Sequence, residues 1–299
     1  MKIDKDRLST CSIAFIKYEP EKAFEIIAEA GFKKVDILER PPHFSLFEDE
    51  CDPKKLLQAA KNTGIKIANI ASYIGGGANG RAVAWSFHGW TVPKPEQFTK
   101  IGFASDDKRD LEKEMDQMKE AIDLAAFLGA RTVRVFDGDD KPESINKMVE
   151  WFQKSAEYAG ERGIYLTLEN ECDGVAGTPK LINELAEKVG SKYFGILYEP
   201  GNLVADTGAD YKAALEIMKN HITHCHFKDC KPVEGGRDGM NGGYEMVSFG
   251  EGIIDFVWIM EKLDEIGYEG DIALEYEIHD VPAEKGIKKF YTDFLSLFQ

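Results

Sequence analysis

The chain lacks the marks of several large protein classes. No stretch approaches the roughly 18 consecutive apolar residues of a membrane-spanning helix, so no membrane association is expected. The start, MKIDKDRLSTCS, has no apolar centre and does not read as a secretory leader, so the cytoplasm is the expected compartment. Positive charge is scarce: 37 Lys and Arg face 53 Asp and Glu, a net charge of −16. Such a surface repels phosphate backbones, so nucleic acid is not an expected partner, although a locally positive pocket is still allowed. The five cysteines (Cys11, Cys51, Cys172, Cys225, Cys230) are odd in number and form no CxxC pair. They read as reduced thiols rather than a disulfide scaffold. No GxGxxG turn follows the first strand-like run, which weighs against an open, doubly wound sheet built to bind a dinucleotide.

What is present is a regular alternation. Strand-like runs at Leu8–Phe15, Lys34–Glu39, Ile65–Tyr73, Thr132–Phe136, Ile164–Asn170, Phe194–Glu199, Ile222–Asp229 and Ile272–Glu277 are each followed by a helical pattern. Several helices are bracketed by punctuation, such as Pro20 with Gly31. Strand-then-helix units imply parallel strands with helical crossovers. Their number in a chain of 299 residues predicts one α/β domain over residues 1–299, a (β/α)8 TIM barrel. Two long segments, about 75–106 and 230–252, are expected as loops at the C-terminal ends of strands, where barrel active sites lie. The first carries Trp85, Phe87 and Trp90, and Trp90 is expected to close over the barrel mouth and touch substrate.

The stretch ITHCHFKD at 222–229 organises the rest. Ile222, His224, His226 and Lys228 share one face, and Thr223, Cys225, Phe227 and Asp229 the other. The runs IYLTLEN, FGILYE and IALEYE repeat the pattern and bring Glu169, Glu199 and Glu275 to the less apolar face of their strands. In a closed barrel these ends converge. Three carboxylates and one imidazole suit a divalent ion, and their mutual repulsion needs such a cation. Glu169, Glu199, His226 and Glu275 are therefore the expected metal ligands. Arg134 is expected as a counter-ion to the acids, and Glu277 as an inward residue higher in the mouth.

The set LTLEN, YEPGNL, HCHFKD, FGEG and ALEYE, in this order, resembles the sugar isomerase/epimerase superfamily with the xylose-isomerase-like barrel. Its relatives include ketose 3-epimerases, hydroxypyruvate isomerase, inosose dehydratase and endonuclease IV-type repair enzymes. The resemblance implies one catalytic divalent ion at the four positions, Mn2+ first, with Mg2+, Co2+ or Zn2+ as alternatives. It also implies acid/base roles for Glu169 and Glu275. Glu199 stands where the family usually has Asp, and Glu171 where it often has His.

The expected function is isomerisation or epimerisation of a small sugar, ketose or polyol-derived carbonyl compound, by proton transfer through a metal-bound enediolate. An inosose-type dehydratase is the alternative on the same site. A repair nuclease would need more histidines and a basic face, and a non-catalytic sugar-binding barrel would not need the ligand set. Asn202, His224, Lys228, Glu251 and Trp90 are the expected substrate contacts. Each has a plainer alternative: a turn cap for Asn202, a buried satisfied ring for His224, and an ion pair with Glu251 for Lys228. A homo-oligomer is allowed.

Overall fold

A computed structural model describes residues 3–46, 51–87, 95–138, 141–171, 174–233 and 243–299. Its strands are β1 (Leu8–Cys11), β2 (Lys34–Leu38), β3 (Lys66–Ala71), β4 (Thr132–Val135), β5 (Tyr165–Glu169), β6 (Phe194–Tyr198), β7 (Ile222–Phe227), β8 (Asp229–Pro232), β9 (Tyr244–Val247) and β10 (Ile272–Leu274). All but β8 and β9 are parallel and close into a barrel in the order β1-β10-β7-β6-β5-β4-β3-β2. With helices around it, this is the (β/α)8 TIM barrel.

The helices are α1 (Pro20–Ala30), α2 (Pro53–Thr63), α3 (Gly77–Phe87), α4 (Lys108–Leu128), α5 (Ile145–Gly160), α6 (Gly174–Gly177), α7 (Pro179–Val189), α8 (Pro200–Ala205), α9 (Tyr211–Met218), α10 (Phe256–Glu265) and α11 (Ala283–Ser296). Local chemistry sets their ends. Asp52, Asp107, Asp210 and Asp255 each accept a backbone N–H at the start of α2, α4, α9 and α10. Helix α1 begins at Pro20 and stops at Gly31, whose φ of 113° is strained for any side chain. No helix among the described residues is long and apolar enough to cross a membrane.

The outward strand faces pack on the helices and so decide what points inward. Phe227 is fully buried against Phe256 of α10 and Phe294 of α11, with ring centroids 5.2 and 6.2 Å away. Burying such a side chain contributes about 1.5–3 kcal/mol, enough to hold the alternation that turns His224 and His226 into the barrel.

The structure departs from the sequence expectations in three places. First, β7 carries a bulge. Ile196 of β6 pairs with Ile222, but Leu197 pairs with His224, which leaves Thr223 extra. Thr223 therefore sits on the inner side, its hydroxyl 3.0 Å from that of Thr167, rather than on the Cys225 face. Gly195 makes room, since a Cβ there would overlap Thr223. Second, the 75–106 segment contains α3 and short 3-10 turns at Pro95–Gln97 and Gly102–Ala104. Its glycines disguise a helix that tertiary contacts hold: buried Arg81 pairs with Glu39 at 2.8 Å, and Gly80 fits against Phe136. Third, the 230–252 segment carries an antiparallel pair, β8 with β9, ahead of the turn at 248–252. Trp90 lies outside the described residues, as do the side chains of Trp85 and Phe87.

Candidate metal and substrate site

Glu169 ends β5, His226 lies near the end of β7, and Glu275 follows β10 directly. Each stands at the C-terminal end of its strand and is buried. Ligand atoms of the three lie within 4.8 Å of one another. His226 Nδ1 is 3.4 Å from Glu169 Oε1 and 3.8 Å from Glu275 Oε1.

The second oxygen of each acid is tied to a cation. Arg134 Nη1 reaches Glu169 Oε2 at 2.8 Å, and Lys228 Nζ reaches Glu275 Oε2 at 3.0 Å. Each carboxylate is thus gripped from behind and offers its Oε1 to the centre. Arg134 is itself fixed by the carbonyls of Ser72 and Ala71, at 3.1 and 3.3 Å.

The charge balance follows from burial. Burial raises the Glu169 carboxyl, but Arg134 and His226 outweigh it and bring it to about 2. Glu275 is lowered in the same way, with burial opposed by Lys228 and His226. Burial and then Glu169 push Glu171 up to about 8, against the pull of Arg134 and Lys228. Burial takes Glu277 to about 7, with Lys228 pulling down and Glu275 pushing up. Burial raises Glu199 well above the usual range, with Lys228 opposing and Glu275 adding.

Glu199 does not join the close group of three. It is the N-cap of α8: its Oε1 accepts the Gly201 N–H at 2.7 Å, which turns the carboxylate along the helix start. Its Oε2, however, is buried with no hydrogen-bond partner, and its charged neighbours are Lys228, Glu275 and His226. His226 Nδ1 is likewise buried without a hydrogen-bond partner. An orphaned ring nitrogen and an orphaned carboxylate oxygen, beside the inward Oε1 atoms of two acids, are the kind of donor set a divalent ion takes.

The other expected contacts are distributed as follows. His224 Nε2 lies 2.6 Å from Asp36 Oδ2, a buried and satisfied ring. Asn202 reaches the Asn170 carbonyl at 3.4 Å, while Asn170 bridges to the Glu199 backbone at 2.8 and 2.9 Å. Lys228 pairs with Glu275 and Glu277, both at 3.0 Å, and not with Glu251. Its stem runs over Gly201, where a Cβ would collide with it. Glu251 stands away from the cluster, with its side chain 58% exposed and 3.7 Å from Lys289. The cause is Asp229, whose carboxylate accepts the N–H groups of Gly250, Gly252, Ile254 and Cys230 at 3.0 to 3.2 Å. Caging that carboxylate wraps the FGEG turn inward by its backbone and throws Glu251 out.

One buried acid next to the candidate site escaped the sequence reading. Asp36 of β2 is fully buried and faces both histidines. The signal was a lone acid inside the apolar run KVDIL, a position where an ionised side chain needs a partner. A cleft of about 280 Å³ reaches Glu277, between the turn after β1 (Ile13, Ile16) and the segment after β10 (Ile278, Pro282).

A parallel barrel with acids and an imidazole gathered at the C-terminal ends of its strands has the layout of a barrel enzyme. The chain belongs to the xylose isomerase-like TIM barrel family, whose model matches residues 24–291. It is 29% identical over 181 residues to a putative L-ribulose-5-phosphate 3-epimerase, SgbU, of Escherichia coli K12; the match spans 59% of this chain and 62% of that protein. It is 26% identical over 272 residues to the inosose dehydratase of Clostridium perfringens, spanning 86% of this chain and 82% of the relative. Among solved structures, a xylose isomerase-like TIM barrel protein from Mycobacterium smegmatis in complex with magnesium shares the fold. Its TM-score is 0.70 at 17% identity, covering 98% of each chain.

Proposed function

We propose that the protein is a divalent-metal-dependent isomerase or epimerase of a small ketose, sugar or polyol-derived carbonyl compound. The observation that carries this reading is the pair Glu169 and Glu275. They come from strands three steps apart round the ring, yet their Oε1 atoms lie 3.4 and 3.8 Å from one imidazole nitrogen. Glu169, His226 and Glu275 would hold the ion, with Glu199 Oε2 as the further donor. When bound, a divalent ion supplies Lewis-acid polarisation of a carbonyl and its neighbouring hydroxyl. Mn2+ is the first choice for an oxygen-rich set with one nitrogen.

The residues of this chain do the rest. Glu169 and Glu275 approach from opposite sides, so one can take the proton on the carbon beside the carbonyl while the other returns it. Inversion at that carbon needs both; a 1,2-shift needs one. Arg134 and Lys228 aim the two carboxylates; the one that takes the proton starts ionised and the one that returns it starts protonated, so the pair ends a turnover with the two states exchanged. The cleft beside Glu277, about 280 Å³, is where a small ligand would approach the acids.

The test is solvent deuterium exchange at that carbon, over a panel of ketoses and inososes, with and without added Mn2+. Metal-dependent exchange with at least one substrate is expected. Exchange should fall in Glu169→Gln and Glu275→Gln, each from a different epimer, in protein whose metal content has been verified. If both metal-loaded variants exchange at the parent rate, the two-carboxylate assignment is wrong. The match to an inosose dehydratase over 86% of the chain supports a second reading, in which the same proton abstraction is followed by loss of hydroxide. A product lighter than its substrate by one water would select it.

A further inference from the structure

Beneath the three-residue group lies a second buried cluster, Asp36, His224 and His226, which shares the ring of His226. We propose that Asp36 is a positioning residue for the metal centre: it accepts the Nε2–H of His226 and thereby fixes the ring so that Nδ1 alone is presented between Glu169 and Glu275. The inference rests on the metal reading above.

The two ring nitrogens of His226 have different surroundings. Nε2 lies 3.1 Å from Asp36 Oδ2. Nδ1 has no hydrogen-bond partner and faces the two glutamate oxygens. A neutral imidazole carries one N–H, and which nitrogen bears it is set by the hydrogen bond made by the other side of the ring. The two glutamates beside Nδ1 favour a proton there too while no ion is bound; an acceptor at Nε2 keeps the other proton on that nitrogen, so a cation has only the Nδ1 proton to displace.

Asp36 is built to hold this position. It comes from β2, three strands round the ring from β7, so the contact crosses the barrel interior. Its Oδ1 accepts the Ser9 hydroxyl at 2.7 Å, and its Oδ2 takes His224 Nε2 at 2.6 Å as well as His226. With both oxygens engaged from β1 and β7, the carboxylate cannot rotate away. The bulge at Thr223 lies immediately before His224 and sets the height of both rings.

A second ion among these three residues is the competing reading, and the distances oppose it. Two ligands sharing one tetrahedral ion at about 2.0–2.2 Å stand about 3.4 Å apart. Asp36 to His224 is 2.6 Å, a hydrogen-bond length.

The test uses the full chain and zinc, which is diamagnetic. Protein labelled with 15N-histidine, loaded with Zn2+, is examined by long-range 1H–15N correlation, and Zn2+ affinity is measured by titration against a competing chelator. In the parent, His226 should show zinc on Nδ1 and a proton on Nε2, with one ion per chain. Asp36→Asn should remain folded by circular dichroism, lose the carboxylate-bonded Nε2–H signal and bind Zn2+ 10- to 100-fold more weakly. Ser9→Ala, which frees Oδ1 but leaves both Oδ2 contacts in place, should weaken Zn2+ binding less than Asp36→Asn does. Zinc on Nε2 in the parent overturns the proposal. So does a folded Asp36→Asn with parental affinity, or a second ion held by Asp36 and His224. If Asp36→Asn does not fold, the parent's spectrum decides alone. A parent that takes up no zinc refutes the metal reading, and the positioning role falls with it.

Discussion

Lys228 is the residue whose removal would most directly expose the electrostatics of the site. Its ammonium lies 3.0 Å from both Glu275 and Glu277, and its side chain is 8% exposed. At an effective dielectric of about 20, two unit charges at that distance attract by about 5 kcal/mol. Desolvation of the buried groups cancels much of this, so the useful quantity is the cost of removing one partner, about 3–5 kcal/mol. Lys228→Met keeps the length of the stem over Gly201 and removes only the charge. At about 2–4 °C per kcal/mol for a large domain, the variant should melt roughly 6–20 °C lower. Adding Glu277→Gln removes one of the stranded acids and should recover at least about 1 kcal/mol, a coupling expected of groups in contact. The assay is urea unfolding of metal-free protein in EDTA, for the parent, both single variants and the double. A Lys228→Met loss below about 1 kcal/mol, or strictly additive effects, would show that solvent already screens these charges. The closed buried network would then be wrong.

Other consequences can be checked independently. Glu199→Gln should stabilise metal-free protein at neutral pH, because burial disfavours its charge, while weakening metal binding tenfold or more; unchanged affinity would remove Glu199 from the site. Gly252→Ala should cost about 1–3 kcal/mol, because its Cβ would enter the Asp229 carboxylate; a neutral effect would mean the FGEG turn is not closed on Asp229. His43 gives a pH dependence with a definite sign. Burial holds its folded pKa near 4 against an ordinary 6.5, with the Tyr18 carbonyl at 3.0 Å opposing. Between those values the unfolded chain binds a proton that the folded chain refuses. Stability from this group is therefore intact above about pH 6.5 and falls, by up to about 3 kcal/mol, as pH drops towards 4. His43→Gln should flatten that part of the acid-unfolding curve, and a curve parallel to the parent's contradicts the argument.

Part of the site was legible because strand alternation is a local rule. Glu169 and Glu275 follow apolar residues that must face helices, so the sequence alone turns them inward. Arg134 as a counter-ion, and the satisfied ring of His224, could be anticipated from the acids around them. What could not be read depends on distant residues. The Asp36 partnership with His224 joins positions 188 apart. Thr223 changed face because of one extra residue in β7, which no periodicity reports. The α3 helix hides behind glycines and is held by Arg81 on Glu39, 42 positions earlier. Glu251 points outward because Asp229 captures the amides on either side of it, and Glu199 is drawn onto α8 as its cap. In these cases a bulge, a helix cap or a contact between residues distant in the chain overrides the local pattern.

The central claim is that one divalent ion sits between Glu169, His226 Nδ1 and Glu275. Its most direct test is anomalous diffraction at the zinc edge from crystals soaked in Zn2+. One strong peak is predicted, about 2.0–2.2 Å from the two carboxylates and from His226 Nδ1. No peak at that position, or a peak among Asp36, His224 and His226 Nε2 instead, would contradict the account.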